Sequence, residues 1–353
     1  MRRTRNLAVL AAVAAVALSA CGDSDSGGGS GSGAKKSYNV GLLYQLKAAE
    51  FSVRGGENMK EAADALGWKL TEIDPAGDPQ KANAGLVSFA TQGVDAVITT
   101  SWEPSAVRQG LLQLKQKNIP VVNVWGGISS TTDITAQIAP DESNFGKVAS
   151  SYLTDKLSSG DKVIALNSNA FTFGKLRWAE FQKAVAAKGV QVVGEHQTDY
   201  TNPQADTTKA ITDLLNAHPD IQGIYTDSSL QVPGVTQVLK QKGLCGKVTV
   251  VGFYGDLQNL QAVRDNCYTA IADIPVQPQG WVIMDTIAHH FYDKADWPTS
   301  TPTGYPFKVL QVEMITKANL PTDPKKYFDV DFDYKSYFEK RWQAGTYGPE
   351  SGS

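Results

Sequence analysis

VDAVITTSWEPSAVRQGLLQLKQKNIPVVNVWGG, Val94–Gly127, reads as an apolar strand, an amphipathic helix and a second apolar strand that stops on Trp125, Gly126 and Gly127. A later stretch, IQGIYTDSSLQVPGVTQVLKQKGLCGKVTVVGFYGD, Ile221–Asp256, repeats that order and much of its local spelling. Ser101 to Trp125 spans 24 residues, and Ser228 to Tyr254 spans 26. Buried strands separated by helices of this length build βαβ units and parallel sheets. The fold expected from this pattern is α/β, with two Rossmann-like lobes, each a parallel sheet flanked by helices.

The pattern continues outward from both stretches. YNVGLLY and WKLTEID read as strands around the helix SVRGGENMKEAADALG, and DPQKANAGLVSFATQG reads as the helix leading into Val94. DKVIALNS, KLRWAEFQKAVAAKG, VQVVGEHQ and PQADTTKAITDLLNAH repeat the series before Ile221. Phe51 to Gly67 and Phe173 to Gly189 are both 16 residues. Trp125 and Tyr254 thus hold equivalent strand ends, and Phe51 and Phe173 equivalent first βα loops. Open parallel sheets bind ligands beyond the carboxyl ends of their strands, so these four aromatics are expected to line one cleft if the lobes face each other by those edges.

The N-terminus is a different object. Arg2, Arg3 and Arg5 precede an unbroken apolar run, Leu7–Leu18, too short to span a bilayer comfortably. Residues 1–20 read as a secretory signal peptide. LSAC, Leu18–Cys21, resembles a bacterial lipobox, which implies lipidation of Cys21, and the Gly/Ser-rich residues 21–36 read as a tether. Removing the leader lowers Lys+Arg from 33 to 30 against 36 Asp+Glu, a mature charge of −6. That balance, with no basic run, argues against nucleic acid as a partner. Cys245 and Cys267 each stand just before a strand in an exported chain, and a disulfide between them is expected.

Catalytic signatures are missing: the chain has no P-loop, GxGxxG, GxSxG, HExxH or CxxC, and only four His. No catalytic residue, cofactor or metal ligand is therefore assigned; the adjacent His289 and His290 would point about 100° apart on a helix.

The order of NIPVVNVWGG, IAPDESNFGKVAS, AVAAKGVQVV, LLNAHPDIQGIYT, VTVVGFYGD and YTAIADIPVQPQG over residues 37 to 320 resembles the type I periplasmic binding proteins of the ribose/galactose kind, the solute receptors of ABC importers. The resemblance implies a three-crossover hinge near Ala139–Asp141, Asp273–Pro275 and Lys308–Val312. The expected lobes are 37–139 plus 274–308 and 140–273 plus 309–343, with 344–353 a flexible tail. It also implies a monomeric receptor on the outer face of the cell membrane, handing a small ligand to an ABC permease.

The departures from such sugar receptors bear on the ligand. Where those usually carry an Asp-Arg pair, this chain has Trp125-Gly126; their Asn-Asp corresponds to Ser228 and Ser229, and an Asp to Tyr254. An Arg aligns with Lys175, and a crossover Gln or Asn with Asp273. The candidate ligand-binding residues are Gln45, Phe51, Ser101, Trp102, Trp125, Asp141, Phe173, Lys175, Arg177, Ser228, Tyr254 and Asp273. Asp141 has a competing reading as a helix N-cap, Trp102 as helix packing, and Arg177 as a loop brace. Stacked rings suit the C–H face of a sugar, an aromatic ring or a cation. A sugar or polyol, an aromatic or amphipathic molecule, and a sensory receptor feeding a membrane kinase all stay open at this point.

Overall fold

A computed structural model describes residues 35–350. The residues read as a signal peptide, 1–20, and the expected lipidation site, Cys21, lie outside the described residues.

The first sheet holds five parallel strands: β1 (Asn39–Leu43), β2 (Lys69–Ile73), β3 (Ala96–Thr100), β4 (Val121–Val124) and β5 (Ala136–Ile138), in the order β2-β1-β3-β4-β5. The helices α1 (Glu50–Leu66), α2 (Pro79–Gln92) and α3 (Arg108–Gln116) connect the first four strands. The second lobe contains α4 (Glu142–Asp155), β6 (Lys162–Asn167), α5 (Thr172–Lys188), β7 (Gln191–Gln197), α6 (Pro203–Ala217), β8 (Gly223–Thr226), α7 (Val232–Lys242), β9 (Thr249–Phe253), α8 (Leu257–Arg264) and β10 (Ala270–Asp273). The chain then returns through α9 (Val276–Asp293) to β11 (Glu313–Ile315) and ends with α10 (Tyr334–Gln343). The second sheet runs β11-β10-β9-β8-β6-β7, with β11 antiparallel to its neighbour.

Each element follows from local chemistry. Strands β3, β4 and β8 are buried along their whole length, as expected of sheet interiors covered on both faces. Edge strands β2 and β7 carry more exposed residues. Helices α1 and α5 both stop on a glycine in the left-handed region, Gly67 at φ 70° and Gly189 at φ 75°, which closes the helix without a Cβ clash. In the first lobe α1 packs on α9, and α2 on α3; in the second, α4 packs on α5, and α6 on α7. Helix α3 is shorter than the sequence pattern implied, because Pro104–Val107 form a turn before it.

Two expected boundaries need correction. Residues 309–343 are expected in the C-terminal lobe, but only β11 joins that sheet, while α10 packs on α9 and α1 of the N-terminal lobe. Aromatic burial explains it: Trp342 stacks on Trp281 with ring centroids 5.4 Å apart, and its Nε1 donates to the buried Asp285 at 2.7 Å. The tail from 344 is also packed as far as residue 350. Tyr347 is buried and stacks on Tyr292 at 4.7 Å, and the Gly348 carbonyl accepts from Arg341.

Cys245 and Cys267 are joined by a disulfide that closes a loop of 22 residues between parallel neighbours β9 and β10. Reduction, or the Cys245→Ala/Cys267→Ala double variant, should lower unfolding free energy by roughly 3 kcal/mol. Peptide mapping without reductant should find the two cysteines linked; two freely alkylated thiols would contradict the bond.

Candidate functional site

The carboxyl ends of the two sheets face each other, and the strand-end residues there share an unusual backbone. Ser101 after β3, Trp125 after β4 and Tyr254 after β9 all have positive φ, at 55°, 58° and 59°. For bulky residues that conformation is costly and persists only where the surroundings impose it. Trp125 N–H donates to Ile138 of the next strand at 3.1 Å, and Tyr254 N–H donates to Ala272 at 2.8 Å. The equivalence of the two aromatics inferred from the repeat is thus a backbone equivalence.

The aromatics meet across the cleft. Phe51, on the first turn of α1, lies parallel to the Tyr254 ring, with centroids 4.2 Å apart and planes 7° apart, and it meets Trp125 edge-on at 6.0 Å. Phe173 sits deeper in the second lobe, stacked on Phe171 and under the Arg177 guanidinium at 5.0 Å. Trp125 is more enclosed than a cleft wall needs to be. It is 1% exposed, and its Nε1 donates to Gln279 of α9 at 2.7 Å. A Cβ on Gly55 would overlap its ring.

The polar candidates divide. Gln45 spans to the Ser101 carbonyl at 3.0 Å, and Ser101 Oγ donates to the Trp125 carbonyl at 3.1 Å. Trp102 is buried and donates from Nε1 to the Tyr44 carbonyl at 2.9 Å, yet it also lines a cavity of about 280 Å³ between the lobes. Gln45, Glu103, Phe171 and Tyr200 share that cavity wall. Ser228 caps a 3-10 turn, Ser229–Gln231, in a reciprocal capping box with Gln231. Asp141 is exposed and caps α4, accepting from the Asn144 amide at 3.0 Å, so its carboxylate already has a structural task. Lys175 is exposed on the first turn of α5.

Arg177, two residues on, is the cation that points inward. Its Nε and Nη2 hold Glu142 at 2.7 and 2.6 Å, Nη1 donates to the Asp227 carbonyl at 2.6 Å, and Nη2 donates to Tyr254 Oη at 3.3 Å. Burial raises the Glu142 carboxyl despite the opposing pull of Arg177. Burial likewise raises Tyr254, so its hydroxyl stays neutral. Asp273, at the end of β10, is fully buried and pushed up to about 6 by desolvation, against the attraction of Arg54.

Several residues that bridge the lobes were not singled out by the sequence. Glu103 accepts from the Thr172 amide at 2.5 Å and its hydroxyl at 3.1 Å, capping α5 from the opposite lobe. Glu50 accepts from the Leu257 amide at 3.1 Å, capping α8 in the same way. Arg54 reaches Asp256 at 3.4 Å. Carboxylates at helix N-termini are favoured by the free amides there. Nothing in a strand-and-helix reading reveals that a helix is capped from another lobe. The one available signal was the spacing of Glu50, Phe51 and Arg54, which puts all three near one face of α1.

A family model described as periplasmic binding protein domain matches residues 40–294. The chain is 30% identical to the ribose import binding protein of Salmonella typhimurium over 77% of this chain and 88% of that protein. It is 24% identical to the xylitol-binding protein of Mycolicibacterium smegmatis over 75% of this chain and 74% of that one. Among solved structures, a Mycobacterium smegmatis ABC transporter solute-binding protein with bound glycerol has a TM-score of 0.73 at 22% identity, covering 84% of this chain and all of that one.

Proposed function

Because this chain belongs to the periplasmic binding protein family, whose members bind solutes and are not enzymes, we propose that it receives a small sugar or polyol and delivers it to an ABC permease. The observation that carries this reading is the pair of equivalent strand ends, Trp125 and Tyr254, meeting Phe51 between the two lobes. Such rings cover the C–H face of a carbohydrate, and the buried polar groups beside them suit its hydroxyls. The names of the relatives, for ribose and xylitol, point the same way.

The mechanism proposed is hinge closure. Contacts Glu103–Thr172, Glu50–Leu257 and Arg54–Asp256 join the lobes in the form described here. A ligand touching both lobes adds to these and shifts the population toward closure, and the closed form is the one a permease recognises. A flat aromatic ligand is the second reading, favoured by the near-parallel packing of Phe51 on Tyr254, which a third ring could enter.

A thermal-shift screen of pentoses, polyols and aromatic acids tests the proposal. A ligand present at about 100 times its Kd should add roughly 2.7 kcal/mol of stability. Stabilisation by aromatic acids alone would favour the second reading, and a shift with neither class would contradict both.

We also propose that the chain is tethered outside the cell membrane through a lipid on Cys21. Among the described residues no helix is long and apolar enough to cross a membrane. Cys21→Ala should release the protein from the membrane fraction; partitioning like the parent would overturn the anchor.

A further inference from the structure

Phe51 and Arg54 lie three residues apart on α1 and face the second lobe together. Tyr254 takes the Phe51 ring, and Asp256, two residues further on, takes the Arg54 guanidinium. The aromatic half of this contact is well matched, but the polar half is loose. Arg54 Nη2 stands 3.4 Å from Asp256 Oδ1 and Nη1 stands 3.5 Å from Gln277 Oε1, beyond the span of about 2.7–2.9 Å of a good charge-assisted bond. Arg54 Nε has no hydrogen-bond partner, nor does Asn259 Oδ1. Asp273 Oδ2 likewise has no well-formed partner, while its Oδ1 accepts from the Ile274 amide at 2.9 Å. Arg54, Asp256, Asn259 and Asp273 are all 2% exposed or less, and buried polar groups are ordinarily satisfied.

We propose that Arg54 and Asp256 are the specificity-determining pair of the cleft, taking vicinal hydroxyls of a neutral sugar or polyol and turning away its carboxylate counterpart. This rests on the sugar or polyol reading above. A hydroxyl both donates and accepts, so one diol can accept from Arg54 Nε–H while donating to Asp256 or Asp273. A carboxylate can only accept. It would meet Asp256 and Asp273, both held by the Arg54 guanidinium, with Glu50 adding a third negative charge beside Asp256. Burial pushes Asp256 up to about 7 against the pull of Arg54, and ligand hydroxyls would add donors to its charged form. The Tyr327 ring, 4.3 Å from the guanidinium, and its hydroxyl bond to Glu50 close the far side.

Calorimetric titration of the protein with ribose and xylitol, each against its acid, ribonate or xylonate, tests this. The parent protein should prefer the neutral compound by about tenfold or more. In buffer at about pH 8, above the value of about 7 to which burial pushes Asp256, Asp256→Asn removes a negative charge and should narrow that preference at least about tenfold. Arg54→Met should weaken the neutral compound by about tenfold or more and widen the preference. Arg54→Lys, which keeps the charge, should hold the preference near the parent's, and it serves if the Met variant does not fold, as judged by melting without ligand. Variants that weaken neutral and acidic compounds in parallel would show a brace between lobes and overturn the proposal. If the parent binds neither ribose nor xylitol, the sugar reading itself fails and takes this inference with it.

Discussion

Replacing Arg177 with methionine is expected to lower unfolding free energy by about 3–5 kcal/mol, the usual cost of leaving one member of a buried ion pair alone. Arg177 is 1% exposed and holds Glu142, the Asp227 carbonyl and the Tyr254 hydroxyl at once. Its guanidinium also lies within 5.3 Å of four ring centroids, those of Phe145, Phe173, Phe253 and Tyr254. Without it the Glu142 carboxylate stays buried, with its second oxygen already unpartnered. Little can relax, because α4 and α5 meet closely: a Cβ on Gly146 would stand 2.6 Å from the Arg177 Cα. Urea unfolding measures the loss. Adding Glu142→Gln should recover part of it by removing the stranded charge; a double variant no more stable than Arg177→Met would place the cost in packing instead.

Trp125→Ala should cost a comparable 3–5 kcal/mol, roughly the range for truncating a large core aromatic. The internal repeat alone places this ring in the lining of the cleft. Its contacts argue otherwise. Gln279 on α9 and Gly55 on α1 both belong to the N-terminal lobe, so the indole is enclosed whether or not the lobes close. The rim of the ring still meets Phe51, which in turn stacks on Tyr254 of the other lobe. Ligand binding should therefore also weaken by at least about tenfold, since ~1.4 kcal/mol is one decade. Trp125→Phe keeps most of the volume and loses the bond to Gln279, a change of about 1 kcal/mol. A Trp125→Ala protein that melts like the parent would contradict the enclosed placement.

The difference at Trp125 shows where the sequence stops being legible. Periodicity and the internal repeat carry the alternation of strands and helices and the pairing of Trp125 with Tyr254, because both depend on local spacing. The enclosure of Trp125 depends on Gln279, 154 residues away, and no local pattern reports it. The same holds for α10. Its aromatics signal burial, but only the fold shows that Trp281 and Asp285 of α9 receive them. At the start of α5 both Lys175 and Arg177 were visible as cations, and helix spacing alone did not say which faces in. The Glu142 carboxylate on α4 decides it, drawing Arg177 inside and leaving Lys175 exposed. The contacts between lobes, Glu50, Arg54 and Glu103 with their partners, were silent for the same reason.

A crystal structure of the protein grown with saturating ribose or xylitol tests the central claim most directly. The ligand is expected between the lobes, its C–H face against Phe51 or Tyr254, with the direct stack of those two rings opened to admit it and its hydroxyls at Arg54 and Asp256. A cleft that keeps Phe51 stacked on Tyr254 at 4.2 Å, with the ligand bound elsewhere or not at all, would contradict it.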